Sequence, residues 1–138
     1  MKSLPNPIKP SALIRIAIRD EEKAHASSDH TVDMEDWHEP LGSTCAVCFA
    51  GAVMAFTLDV DARTYIQPKK FDRHTSNCLL ALNSFRRGKV CRGLHKMGLS
   101  YRRKTRKLER YVMPYRGDRL AFRCAMKKIA NDLEAIDL

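Results

Sequence analysis

The stretch TCAVCFAGAVMAFTL, residues 44 to 58, is apolar on every face. It is shorter than the roughly 18 to 20 apolar residues that a membrane span requires. A segment with no polar side must therefore sit in the middle of a folded domain, and it predicts a central helix covered by other elements. Ser43 or Thr44 would cap that helix. Ala50, Gly51 and Ala55 are small enough for a second backbone to approach closely. Gly51 costs roughly 1 kcal/mol of helix propensity against Ala, so tight packing is the expected compensation.

The remainder of the chain can supply that cover. A length of 138 residues fits one domain, residues 1–138, with a real hydrophobic core. The apolar fraction of 44% and mean hydropathy of -0.40 separate it from disordered chains. The opening MKSLPNPIKPSALIRIAIRDEE has no long apolar region ending in small residues, which predicts no secretory leader and a cytosolic location. Five cysteines, an odd number, then predict reduced thiols rather than a disulfide framework.

SALIRIAIRDEEKAHA reads as a helix opened by Ser11 after Pro10, although Ile14, Ile16 and Ile18 also alternate as in a strand. Residues 26 to 43, rich in Ser, Asp, Pro and Gly, read as a long acidic loop carrying the single tryptophan, Trp37. FDRHTSNCLLALNSFRRG has Asp72 as cap, a Cys78–Leu82–Phe85 stripe and Gly88 as stop, which predicts a helix. VCRGLHKMGLS is short and interrupted by Gly93 and Gly98, and SYRRKTRKLERYVMPY is either a helix or a β-ribbon. After a turn at residues 116 to 118, Asp118 caps a last helix whose Phe122, Met126, Ile129, Leu133 and Ile136 form an apolar seam.

Cys45 and Cys48 admit three readings. With His74 and Cys78 they could make a four-ligand zinc set, because zinc favours tetrahedral nitrogen and sulfur donors in close pairs. Against this, the Ala-Val between them and the apolar run behind them are unlike the polar turns of zinc knuckles. Cys48 near the start of a buried helix could be a nucleophile, with the helix dipole lowering its pKa and His74 or His95 as base, Asn77 orienting. The string CAVCFA is similar to the cysteine stretch of papain-like proteases, but the chain has no room for the strand-rich half that carries their histidine. The third reading is that both thiols pack as small hydrophobes. That is the expectation, with no catalytic residue and no cofactor.

The carboxylates and imidazoles around Trp37, from Asp29 and His30 through Asp33, Glu35 and Asp36 to His38 and Glu39, could hold a hard metal or act as acid and base. The expectation is a solvated loop whose tryptophan docks on the core; the same loop could also lie against the basic half and shield it.

Charge is distributed unevenly. Residues 1 to 85 hold 9 basic and 11 acidic side chains, whereas residues 86 to 138 hold 16 basic and 5 acidic. From 86 to 128 only Glu109 and Asp118 oppose the cations. Tyr101 and Tyr111 lie among Arg102, Arg103, Lys104, Arg106, Lys107 and Arg110, with Arg86 and Arg87 upstream. Cations neutralise phosphates and tyrosines stack on unpaired bases, so these ten residues are the candidate binding set. The sequence has no helix-turn-helix signature, no zinc-finger spacing, no ribonucleoprotein motif, and no Walker, Gly-x-Gly-x-x-Gly or Gly-x-Ser-x-Gly loop.

VDMEDWHEPLGSTCAVCFAGAVMAFTL, with PSALIRIAIRDEEK before it and LLALNSFRRGKV after it, resembles a group of small proteins from tailed bacteriophages and prophages. Their pattern is Asp-Met, then Trp, then Cys-x-Val-Cys-apolar-Ala-Gly-Ala-Val-Met-Ala. The likeness covers roughly residues 11 to 90 and leaves the basic third outside. It implies a bacterial host cytoplasm during infection, where such accessory proteins bind host machinery or defence complexes, and it brings no catalytic residues.

The expected molecule is mainly α, a compact bundle of four or five helices with a short β-ribbon near residues 99–114 as an alternative. Its helical core spans about residues 11–88 and its basic portion about residues 86–138. The expected function is a non-enzymatic binding protein for nucleic acid or an acidic host protein complex, with no membrane partner. A cysteine-dependent hydrolase or transferase and a zinc-stabilised module are the alternatives.

Overall fold

The computed structural model describes residues 1–99 and 118–138. The architecture is mainly α, with five α-helices and one small sheet among the described residues. Helix α1 spans Pro10–Ala26, α2 Phe49–Phe56, α3 Arg73–Arg86, α4 Val90–Lys96 and α5 Arg119–Ala135. Strands β1 (His30–Val32), β2 (His38–Leu41) and β3 (Thr44–Val47) form the sheet, and a 3-10 turn spans Pro68–Lys70.

The apolar run at 44–58 is not one helix. Its first four residues are β3, the central strand, parallel to β1 and antiparallel to β2. Cys45, Ala46 and Val47 are all buried, so the strand has no polar side. Such a strand reads as a continuous apolar string and lacks the alternation that would separate it from a helix. The residues expected to be an acidic loop supply both its neighbours. Gly42 at φ 62°, with Ser43, makes the two-residue connection between the paired Leu41 and Thr44. The helix begins only at Phe49, and Cys48 rather than Ser43 or Thr44 is its cap.

The α2 helix is the centre of the molecule, with Phe49 to Met54 all buried. Phe49 meets Phe122 of α5 edge to face, with centroids 5.4 Å apart. Gly51 lies against the backbone of the loop before β2: a Cβ built there would stand 1.5 Å from the Trp37 carbonyl oxygen. The second backbone expected to approach closely at Gly51 is thus the loop carbonyl of Trp37. Trp37 is partly buried and packs against the core, as expected for the tryptophan of this segment.

The α1 and α5 helices run antiparallel, joined by ion pairs at both ends. Near the C-terminus of α1, Arg119 pairs with Glu21 and Arg123 with Glu22. Near its N-terminus, Arg15 pairs with Glu134 and Lys9 with Asp137. Phe122, Met126, Ile129 and Leu133 are buried along the predicted seam. Pro10 occupies the first turn of α1, where its missing N–H is not needed. Ser11 is not the cap: its backbone N–H and its hydroxyl both donate to the Leu138 carbonyl at 3.1 Å.

The other predicted punctuation holds. Asp72 Oδ1 accepts the Thr75 N–H at 2.9 Å and Asp118 Oδ1 accepts the Ala121 N–H at 2.9 Å. Hydrogen bonds from Ser3 and Thr75 hold the Asp72 carboxyl well down, at about 2. Gly88, at φ 74°, ends α3. The glycine-interrupted stretch after it is helical, because Gly93 is there for contact: a Cβ would come within 2.6 Å of the Phe85 ring. The expected ribbon near residues 99–114 lies, apart from Leu99, outside the described residues.

Candidate functional site

Arg86 and Arg87 stand where the sequence placed them, at the end of α3. Arg86 is half-buried, and its Nε and Nη2 donate to Asn83 Oδ1 at 3.0 and 2.6 Å. Arg87 is exposed. Tyr101, Arg102, Arg103, Lys104, Arg106, Lys107, Arg110 and Tyr111 lie outside the described residues.

Three further cations extend the surface past α3. Lys89, Arg92 and Lys96 recur at helical spacing along α4, with His95 beside them, while Val90, Cys91 and Leu94 are buried on the other side. No Asp or Glu occurs from residue 86 to residue 99. Among the described residues, none of the ion pairs involves Arg86, Arg87, Lys89, Arg92 or Lys96. The α5 helix is different, since Arg119 and Arg123 are matched by α1 and residues 118 to 138 hold four basic against four acidic side chains. The charge excess of the chain therefore belongs to residues 86–117, with twelve Lys and Arg against Glu109.

The acidic segment does reach this surface. Glu35, Asp36 and Trp37 line a small cavity of about 80 Å³ together with Cys48, Asn83, Arg86 and Arg87. Nearby, a hydrogen bond with Asp36 and the proximity of its charge raise the Glu39 carboxyl. A larger cleft of about 490 Å³ opens between α1, β1 and the start of α5. The carboxylate and guanidinium on its wall, Glu21 and Arg119, are bound to each other.

The cysteines divide into separate environments. Cys48 Sγ accepts the Gly51 N–H at 3.3 Å and lies 3.9 Å from the Trp37 carbonyl. Burial pushes its thiol up, against the opposing pull of the Gly51 and Ala50 amides and the Arg86 charge. Cys45 Sγ lies 3.5 and 3.7 Å from the two ring nitrogens of His38. His38 Nδ1 donates to the Thr64 carbonyl at 2.7 Å, which leaves Nε2 as acceptor for the thiol proton. Burial raises Cys45 and lowers His38, so this is a neutral pair and not a thiolate–imidazolium. His74 Nε2 donates to the Pro5 carbonyl at 2.6 Å and sits 3.8 Å from Cys78, whose thiol burial pushes up to about 11. His95 is exposed on α4.

His74 thus stands with Cys78 and not with Cys48. Cys45, Cys48, His74 and Cys78 do not converge, and no group of three or more His, Cys, Asp or Glu among the described residues is arranged to hold a metal ion. Cys45 and Cys48 are core, as expected. Of the five thiols only Cys124 is exposed. A disulfide reagent at pH 7.5 is expected to titrate one thiol rapidly and five after denaturation. Rapid modification mapped to Cys48 would instead mark it as a reactive thiolate.

The buried imidazoles also set a pH dependence. Burial holds His38 and His30 below the ordinary 6.5. Such groups bind fewer protons folded than unfolded, so their stability contribution is complete above pH 6.5 and declines as pH falls below it. The melting temperature is expected to drop between pH 7 and pH 5.5. A His38→Gln variant should show a flatter profile over that interval, and an equally steep one would remove His38 as a cause.

The burial of His38, expected in a solvated loop, and the α4 row are what sequence reasoning missed. The Val90, Cys91, Leu94 and Met97 spacing could have revealed α4, whereas nothing local marks His38 as buried. In comparisons with known proteins, no family model, no curated protein and no solved structure matches this chain.

Proposed function

We propose that this protein is a non-enzymatic binding protein for nucleic acid, free or within a host complex, acting through the basic side chains of residues 86–117. The observation that carries the reading is the row Lys89, Arg92 and Lys96, continuous with Arg87 and without ion-pair partners among the described residues. A solvated face kept for solubility alone gains nothing by excluding one sign of charge. Phosphates, by contrast, are bound by such a face with release of their counterions. The resemblance to small phage proteins supplies the setting, a bacterial cytoplasm in which a host complex is engaged or redirected.

Binding measured by fluorescence anisotropy is expected to weaken with salt, log K falling against log salt with a slope of about -4 if four or five phosphates are engaged. Replacing Arg87, Arg92 and Lys96 by Ala should flatten the slope by about 2 to 3. The set Arg102, Arg103 and Arg106 to Ala should act similarly. Unchanged affinity with an intact circular dichroism spectrum would overturn the proposal. Capture of the same host protein after nuclease treatment would assign the surface to an acidic protein instead.

A further inference from the structure

The three-residue turn from α3 into α4 sets the short helix rigidly. Gly88 at φ 74° reverses the chain, its N–H donates to the Phe85 carbonyl at 2.9 Å, and the Lys89 N–H donates to Ser84 at 3.0 Å. Val90, Cys91 and Leu94 anchor the inner side of α4 in the core. At Gly93 the helix backbone rests on the Phe85 ring, where there is no space even for a methyl group. The outer side then presents Lys89, Arg92, His95 and Lys96, fixed in position and without a carboxylate among them.

We infer that α4 is a groove-reading helix, held by α3 across the Gly88 turn, and that its ligand is duplex DNA contacted in the major groove. The inference rests on the nucleic-acid reading above and narrows it to one form of nucleic acid. Its basis is shape together with donor chemistry. An α-helix with its side chains is about 10 to 12 Å across, and the major groove of B-form DNA is about 12 Å wide. Two helices joined by a short glycine-containing turn are a recurrent means of presenting the second helix to that groove. From Lys89 to Lys96 the helix advances about 10 Å at 1.5 Å per residue, so cations stand at both ends of the inserted segment. Lys89 and Lys96, with Arg87 on the turn, are spaced to meet the phosphates flanking a groove. Arg92 and His95, one turn apart on the outer face, carry N–H donors suited to the O6 and N7 acceptors of guanine. The major groove of A-form RNA is too narrow and deep for side chains to read, and a single strand has no groove.

The test uses the full chain and three labelled probes: a random-sequence pool of 24-bp DNA duplexes, the corresponding RNA duplexes, and single-stranded DNA. The DNA duplex is expected to bind about tenfold tighter than either of the others at the same salt. Duplexes whose cytosines carry a glucosylated hydroxymethyl group, which fills the major groove, should lose about tenfold. Netropsin, which occupies the minor groove of A·T tracts, should leave binding unchanged. His95→Ala, at an exposed position, should weaken duplex binding and leave single-strand binding as it was, whereas Arg92→Ala should weaken duplex binding by a larger factor than single-strand binding. Equal affinity for the three probes, tolerance of the glucosylated duplex, or displacement by netropsin would overturn the groove assignment while leaving the nucleic-acid reading in place. A folded protein that binds none of the three would overturn both.

Discussion

Gly51→Ala is expected to lower the stability of the fold substantially at 25 °C while leaving a cooperative unfolding transition to measure. A methyl at this position would lie 1.5 Å from the Trp37 oxygen and 2.8 Å from its carbonyl carbon. Both are backbone atoms, so no rotamer change relieves the overlap. Trp37 cannot retreat freely, because the next residue begins β2 and its ring is already packed on the core. On the other side, Gly51 is held by its N–H to Cys48 Sγ. Alanine would gain roughly 1 kcal/mol of helix propensity. Forced overpacking in a closed core costs typically 1 to 3 kcal/mol and occasionally more, and a backbone collision belongs at the upper end. The net expectation is a loss of about 2 kcal/mol, read from the urea midpoint. A variant as stable as the parent chain would contradict the close approach of these two segments.

Arg119→Ala should cost a similar amount for an electrostatic reason. Glu21 is only 1% exposed, and the guanidinium accounts for its charge with Nε at 2.6 Å and Nη2 at 3.4 Å. Removing one partner of a buried pair strands the other, at about 3 to 5 kcal/mol. The fork is partly open to solvent on the Arg119 side, so about 3 kcal/mol is expected. Replacing both residues by Met should recover most of the loss, since a well-packed apolar pair avoids the desolvation that both charges incur. The neighbouring Arg123–Glu22 pair serves as the control. Its carboxylate side chain is 43% exposed, and Arg123→Ala should cost less than about 1 kcal/mol. Equal effects at the two sites would show that burial of Glu21 does not govern the energetics.

The elements legible in the sequence were those whose ends carry their own chemistry. Asp72 and Asp118 cap α3 and α5, Gly88 terminates α3, and the α5 seam is buried as its spacing predicted. Segments that depend on distant partners were not legible. TCAV is apolar because β1 and β2 flank it and helices cover it, and that pattern is shared by a buried helix. Its partner strands are only three and four residues long and sit among charged side chains, so neither offers an alternating pattern. The Gly-Ser pair of LGST is of the kind that joins hairpin strands, and it fell within the stretch read as a loop. Gly93 read as a helix breaker, although its real constraint is the Phe85 ring eight residues upstream. For the same reason the candidate site was half seen. Arg86 and Arg87 were picked from a recognisable helix end, and Lys89, Arg92 and Lys96 were hidden inside a helix that glycine concealed.

The contact between Trp37 and Gly51 has an outcome at the molecular surface. Because the main chain is nailed down at Trp37, the two residues before it, Asp36 and Glu35, have no slack with which to draw back from Arg86 and Arg87. They place two carboxylates beside the cations that end α3. A polyanion of the kind proposed would meet these two carboxylates on that flank and none along residues 86 to 99.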